Sequence, residues 1–156
     1  MMASAPCCGP DTVASAEGVW LLYADGASRG NPGPAAIGAV IFDDQGRERH
    51  RISQVIGRAT NNQAEYRAAI AAVEAAVALG ARHVELRMDS ELVVRQMDSR
   101  YKVRNPGLKP LAARLKDLRW QLASLRAVSI PRQQNALADE LANQALDRAS
   151  LAGGSF

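Results

Sequence analysis

Apolar residues recur along this chain with two different periods, and the change from one to the other divides it into elements. Val19 to Ala24 (VWLLYA) is a short apolar run ending in Asp25-Gly26, which predicts a buried strand delivering a carboxylate at its tip. The stretch ASRGNPGP, with Gly30, Pro32, Gly33 and Pro34, predicts a loop. Ala36 to Phe42 predicts a second strand, Asp43-Asp44-Gln45-Gly46 a hairpin turn, and Arg47 to Ile56 a third strand. Three strands joined by short connections make an antiparallel meander.

The period then becomes helical. Thr60-Asn61-Asn62-Gln63 fits a capping box, with Thr60 as N-cap and Gln63 at the third helical position. Tyr66, Ile70, Val73 and Val77 follow at steps of four and three, and Glu65, Ala69, Ala72 and Ala76 form a stripe beside them. A carboxylate is thereby set next to the core near the helix start. Gly80 ends this helix.

His83 to Met88 alternates like a strand and delivers Asp89, followed by a short helix from Ser90 to Met97. SRYKVRNPGLKP predicts a basic loop, with Arg100, Lys102, Arg104 and Lys109 concentrating positive charge. Pro106 suits the first turn of a helix carrying Leu108, Leu111, Leu115, Leu118 and Leu122. Leu125 to Ile130 predicts a last strand and Pro131 to Gln134 a loop. Asn135 reads as the N-cap of a final helix through Arg148, with Asp139 in its first turns. The order β-β-β-α-β-α-α-β-α predicts an α/β fold, a mixed sheet flanked by helices, in one domain over residues 18–150. Residues 1–17 read as a flexible leader and residues 151–156 as a short tail.

Composition narrows the picture. The 156 residues are 47% hydrophobic and 22% charged, which excludes disorder throughout. No window approaches the ~18 continuous apolar residues of a membrane span, so no membrane partner is expected. A net charge of +3 suits a polyanionic partner without requiring one. Cys7 and Cys8 are adjacent and are the only cysteines, which excludes a disulfide framework and a complete structural zinc site. The opening lacks the basic start and apolar core of an export signal, so a reducing, cytoplasmic setting is expected.

Asp25, Glu65, Asp89 and Asp139 all fall at element ends. If the first and fourth strands are parallel neighbours, Asp25 and Asp89 sit side by side at the carboxyl edge of the sheet, where α/β folds build their sites. Charges so close either take up protons or require cations. Hard oxygen donors suit Mg²⁺, and two ions about 4 Å apart activate water on one side of a phosphodiester and stabilise the leaving oxygen on the other. Taken singly, each carboxylate also reads as a solvated or helix-capping charge.

The segments DGASRGNPGPAAIGAVI around Asp25, TNNQAEYRAAI around Glu65, DSELVVRQM around Asp89 and PRQQNALADELANQAL around Asp139 resemble ribonuclease H of type 1. The resemblance extends over Val19 to Arg148. It implies a five-stranded mixed sheet of order 3-2-1-4-5 with helices on both faces. It also implies endonucleolytic hydrolysis of the RNA strand of RNA–DNA hybrids with two Mg²⁺ ions, Mn²⁺ substituting, giving 5′-phosphate and 3′-hydroxyl ends. The family's metal ligands match Asp25, Glu65, Asp89 and Asp139 one for one. Removal of RNA from primers and R-loops by a monomer is the implied task.

Hybrid recognition requires sensing 2′-hydroxyls on one strand only. Asn31, Asn61, Asn62 and Ser90 match positions the family uses on the hybrid, and turn or capping chemistry is the competing account for the asparagines. Arg58, Thr60 and Asn105 match a pocket for a DNA-strand phosphate, and Tyr101 falls near a family aromatic that stacks on the DNA sugar. Two departures stand out. The family's loop histidine, ten residues before the last aspartate, is Ser129 here, so Arg132 is the candidate to contact the scissile phosphate. A short loop also replaces the long basic protrusion of some bacterial enzymes. Both predict modest affinity and a lower rate. His50 and His83 read as structural. The alternatives are a non-catalytic hybrid-binding domain, or a nuclease of the same fold cutting double-stranded RNA or DNA junctions.

Overall fold

The computed structural model describes residues 18–98 and 103–151. The proposed leader, Cys7, Cys8, Arg100, Tyr101 and Lys102 lie outside the described residues, as does the tail beyond Leu151. Strands β1 (Val19–Ser28), β2 (Gly33–Phe42) and β3 (Glu48–Ala59) precede helix α1 (Asn61–Ala78). Strand β4 (His83–Met88), helices α2 (Glu91–Met97) and α3 (Lys109–Arg119), and strand β5 (Ser124–Ser129) follow. A 3-10 turn (Arg132–Asn135) then leads into helix α4 (Ala136–Leu151).

The strands form one sheet of order β3-β2-β1-β4-β5. β1, β2 and β3 pair antiparallel, whereas β4 runs parallel to both β1 and β5. This is the topology expected from the sequence. The alternating side chains of β2 separate two layers. Ile37, Ala39 and Ile41 join the main core with Tyr66, Ala69, Ala72 and Val73 of α1, while Ala36 packs with Ala145 and Leu146 of α4. Leu108, Leu115, Leu118 and Leu122 seal the α1 layer. Tyr66 is fully buried, its hydroxyl donating to Gln96, and burial pushes its phenol up to about 12. Among the described residues no helix is long and apolar enough to cross a membrane.

Three boundaries differ from the sequence expectation. The predicted loop after Asp25 shrinks because the β1–β2 ladder continues to Ser28↔Ala35, and the Arg29 amide still donates to the Pro34 carbonyl at 2.8 Å. Turn-forming residues here yield to the hydrogen bonds of the hairpin. Pro106 does not enter a helix: Asn105 accepts from the Gly107 amide through Oδ1 (2.7 Å) and from the Leu108 and Lys109 amides through its carbonyl. The helix therefore starts at Lys109, with Pro110 in its first turn. Asn135 does not cap α4, because the chain enters that helix through the 3-10 turn and the Asn135 side chain turns inward.

Two glycines set the spacing between layers. A Cβ on Gly38 would lie 2.1 Å from the Ala138 carbonyl oxygen of α4. One on Gly26 would lie 2.2 Å from the Ala64 carbonyl carbon and 2.4 Å from the Glu65 amide nitrogen of α1. Backbone on backbone leaves no flexible atom to yield. Gly26→Ala is expected to lose about 2 kcal/mol of stability in chemical denaturation, because α1 must lift from the sheet. A variant as stable as the parent would contradict this packing.

Candidate active site

The parallel pairing of β1 with β4 ends at Tyr23↔Arg87. Asp25 and Asp89 each stand two residues beyond that pair, which makes them neighbours at the carboxyl edge of the sheet. Asp25 is not at the tip of its strand, as the sequence suggested, because β1 continues opposite β2 with Asp25 facing Gly38 in register. What ends beside Asp25 is the β4 partnership. Gly26 lets α1 approach, so Glu65 arrives from one layer while Asp139, in the first turn of α4, arrives from the other.

One carboxylate oxygen from each of Asp25, Glu65 and Asp89 lies within 4.8 Å of the other two. Asp139 stands outside that triplet but close enough to Asp25 to share a hydrogen bond with it. Its Oδ1 also accepts from Asn143 Nδ2 at 3.2 Å. Asp25 is 5% exposed. Burial, followed by the negative charge of Asp89 and the hydrogen bond with Asp139, pushes its carboxyl from 3.8 up to about 9. Glu65 is pushed up to about 7, chiefly by burial and further by Asp89, against the opposing effects of a Ser90 hydrogen bond and the Arg132 charge. The donor set is all oxygen and carries more negative charge than the site holds comfortably, the chemistry that fits a hard divalent cation.

The other sequence-selected residues border this cluster in different ways. Arg132 Nε lies 4.0 Å from Asp89 Oδ2, on a side chain 81% exposed. Ser90 is buried and caps α2, accepting from the Val93 amide at 3.4 Å. Thr60 and Gln63 form the expected capping box. Asn31 Oδ1 accepts from the Asn61 amide at 3.0 Å, tying the β1–β2 loop to the start of α1. The Asn62 side chain is exposed beside it. Arg58 is exposed near the end of β3, and the Asn105 turn packs Gly107 against Gln63, so Arg58, Thr60 and Asn105 all border the first turn of α1. Ser129 ends β5 paired with Met88, without a histidine. His83 bonds Ser124 at 2.9 Å at the opposite end of the sheet, and His50 is exposed on β3.

One residue of the site escaped the sequence reading. Asn135 is buried between the catalytic-edge strands and donates to both the Ala24 carbonyl and Asp89. Its place just before a helix gave it the appearance of a cap.

The raised carboxyls make the metal-free protein sensitive to pH. A proton held by Asp25 up to about pH 9 in the fold, but lost near 3.8 when unfolded, gives stability that is full below about pH 4 and falls as pH rises towards 9. Asp25→Asn is therefore expected to raise the melting temperature of chelator-treated protein at pH 8 by on the order of 5 °C, with the gain vanishing near pH 4. A variant that melts with the parent at both pH values would show that the cluster is not strained.

The reverse transcriptase-like family matches residues 23–145. A bifunctional protein of Mycobacterium tuberculosis is 47% identical over 131 residues, 83% of this chain and 36% of that protein. Ribonuclease HI of Halobacterium salinarum is 46% identical over 127 residues, 81% of this chain and 64% of its own length. The chain thus spans roughly one to two thirds of these relatives. The crystal structure of the Halobacterium enzyme superposes with a TM-score of 0.81 over 84% of this chain and 99% of that one. The ribonuclease H1 LC11, in complex with an RNA/DNA hybrid, is 47% identical, with a TM-score of 0.79 over 83% of this chain and 98% of that one. A matching fold and identities near one half over most of its length make this chain a member of the ribonuclease H type 1 family.

Proposed function

We propose that the chain hydrolyses the RNA strand of RNA–DNA hybrids with two divalent cations, Mg²⁺ or in its place Mn²⁺, leaving 5′-phosphate and 3′-hydroxyl ends, and acts as a monomer in the cytoplasm. The observation that carries this reading is the convergence of Asp25, Glu65 and Asp89 within 4.8 Å at the sheet edge, with Asp139 against Asp25. The hybrid bound to the 47% identical LC11 enzyme supports the choice of substrate. The cations supply activation of water and neutralisation of charge at the scissile phosphate.

The residues of the chain have separate tasks in this reading. Asp25, Glu65, Asp89 and Asp139 hold the cations as carboxylates, so protons on Asp25 and Glu65 leave when the site loads. Ser90 favours the ionised form of Glu65 through its hydrogen bond. Arg132, exposed and near Asp89, reaches for the scissile phosphate. Asn31, Asn61, Asn62 and Ser90 read 2′-hydroxyls. The Asn31 amide NH₂ stays available for this because its Oδ1 is spent on the Asn61 amide. Arg58, Thr60 and Asn105 seat a DNA-strand phosphate, a contact that positions the duplex without reading bases.

The test compares labelled RNA–DNA hybrid, duplex RNA, duplex DNA and a DNA junction, each with Mg²⁺ and with chelator, for the parent and Asp25→Asn. Cutting of the hybrid alone, abolished by chelator, is the expected result. The variant should lose at least about 100-fold in rate, since even outer partners of metal ligands carry 10- to 100-fold, while still binding the hybrid. Binding without cutting in the parent would identify a hybrid-binding scaffold, and cutting of duplex RNA or the junction would reassign the substrate.

A further inference from the structure

Asn135 is 1% exposed, and its amide is committed at one end only. Nδ2 donates to the Ala24 carbonyl at 2.9 Å and to Asp89 Oδ1 at 3.1 Å. Oδ1 is buried with no hydrogen-bond partner among the described residues. The orientation of the amide follows from its neighbours: both groups facing Nδ2 are acceptors, so a flipped amide would set oxygen against oxygen twice. An aspartate of the same shape would offer no donor to either.

A buried unpaired acceptor carries a desolvation cost that an apolar side chain of similar volume avoids. Core packing therefore does not account for asparagine at this position. What asparagine supplies is a neutral double donor where the sheet edge is already crowded with negative charge. One proton is fixed on the backbone immediately before Asp25, and the other on the carboxylate of Asp89. The two metal-facing strands and the β5–α4 connection thus share a single side chain. Asp89 Oδ2 stays on the side of Arg132, whose Nε is 4.0 Å away.

We propose that Asn135 is a positioning residue: it fixes the rotation of the Asp89 carboxylate relative to Asp25 and so sets the cation affinity of the cluster. This rests on the reading of the cluster as a cation site.

The test measures Mn²⁺ affinity by electron paramagnetic resonance in four proteins: the parent, Asn135→Leu, Asp89→Asn and the double variant, with circular dichroism to confirm folding. Asn135→Leu keeps the volume and removes both donors. It is expected to weaken Mn²⁺ binding about tenfold in the parent background and less than about twofold in the Asp89→Asn background. Unchanged affinity in folded Asn135→Leu overturns the proposal, and so does equal weakening in both backgrounds. A second measurement uses the unmodified protein: Mg²⁺ should shift the Asn135 side-chain NH₂ resonances in ¹H–¹⁵N spectra, and a pair that does not respond overturns the proposal even if the variants fail to fold. A parent that takes up no Mn²⁺ defeats the cation-site reading itself, whereas a parent that binds Mn²⁺ with an indifferent Asn135 defeats only the positioning role.

Discussion

Three carboxylate oxygens lie within 4.8 Å of one another, and burial together with this crowding makes Asp25 and Glu65 resist ionisation. The fold nevertheless holds them there, and does so with rigid elements. Asp25 is anchored in the ladder between β1 and β2, Asp89 follows the last residue of β4, and Glu65 rides on a helix pressed to the sheet through Gly26. Asp139 approaches from the opposite layer, on a helix seated over Gly38. Because each carboxylate belongs to a different element, relaxing the repulsion would mean moving a strand or a helix. The unfavourable charge is therefore stored in the native state, and the raised carboxyls of Asp25 and Glu65 are its signature.

Around the cluster, side chains proposed to face the substrate also hold the local structure. Thr60 closes the capping box of α1, and Asn31 fixes the approach of its loop to the Asn61 amide. Such hydrogen bonds hold the proposed substrate-facing groups before any ligand arrives, which lowers the ordering cost of binding. The exposed Arg132 is the exception, since its partner Asp89 is only within 4.0 Å.

Much of this was legible in the sequence for local reasons. The capping box, the apolar stripe of α1 and the alternation of β4 are short-range patterns, and all appear where expected. Glu65, Asp89 and Asp139 could be selected because each lies near an element boundary. Asp25 is marked instead by an Asp-Gly step that looks like a strand end but lies inside β1. The readings that failed depend on hydrogen-bond partners that periodicity does not reveal. Gly33 and Pro34 look like loop residues until β3 pairs with them through Ala59 and Arg58. Pro106 looks like a helix start until Asn105 spends both its side chain and its carbonyl on the following amides. Asn135 looks like a cap until the fold brings Ala24 and Asp89, from strands far away in sequence, to its amide. Long-range polar satisfaction is invisible to periodicity.

The claim at the centre is that this repulsion exists to be relieved by a divalent cation. Calorimetric titration of Mg²⁺ at pH 7.5, repeated in buffers with different heats of ionisation, counts the protons released per binding event. With Asp25 protonated up to about pH 9, the account predicts saturable binding that expels close to one proton, a release lost in Asp25→Asn. Saturable binding with no proton release, or no binding at all, would contradict it.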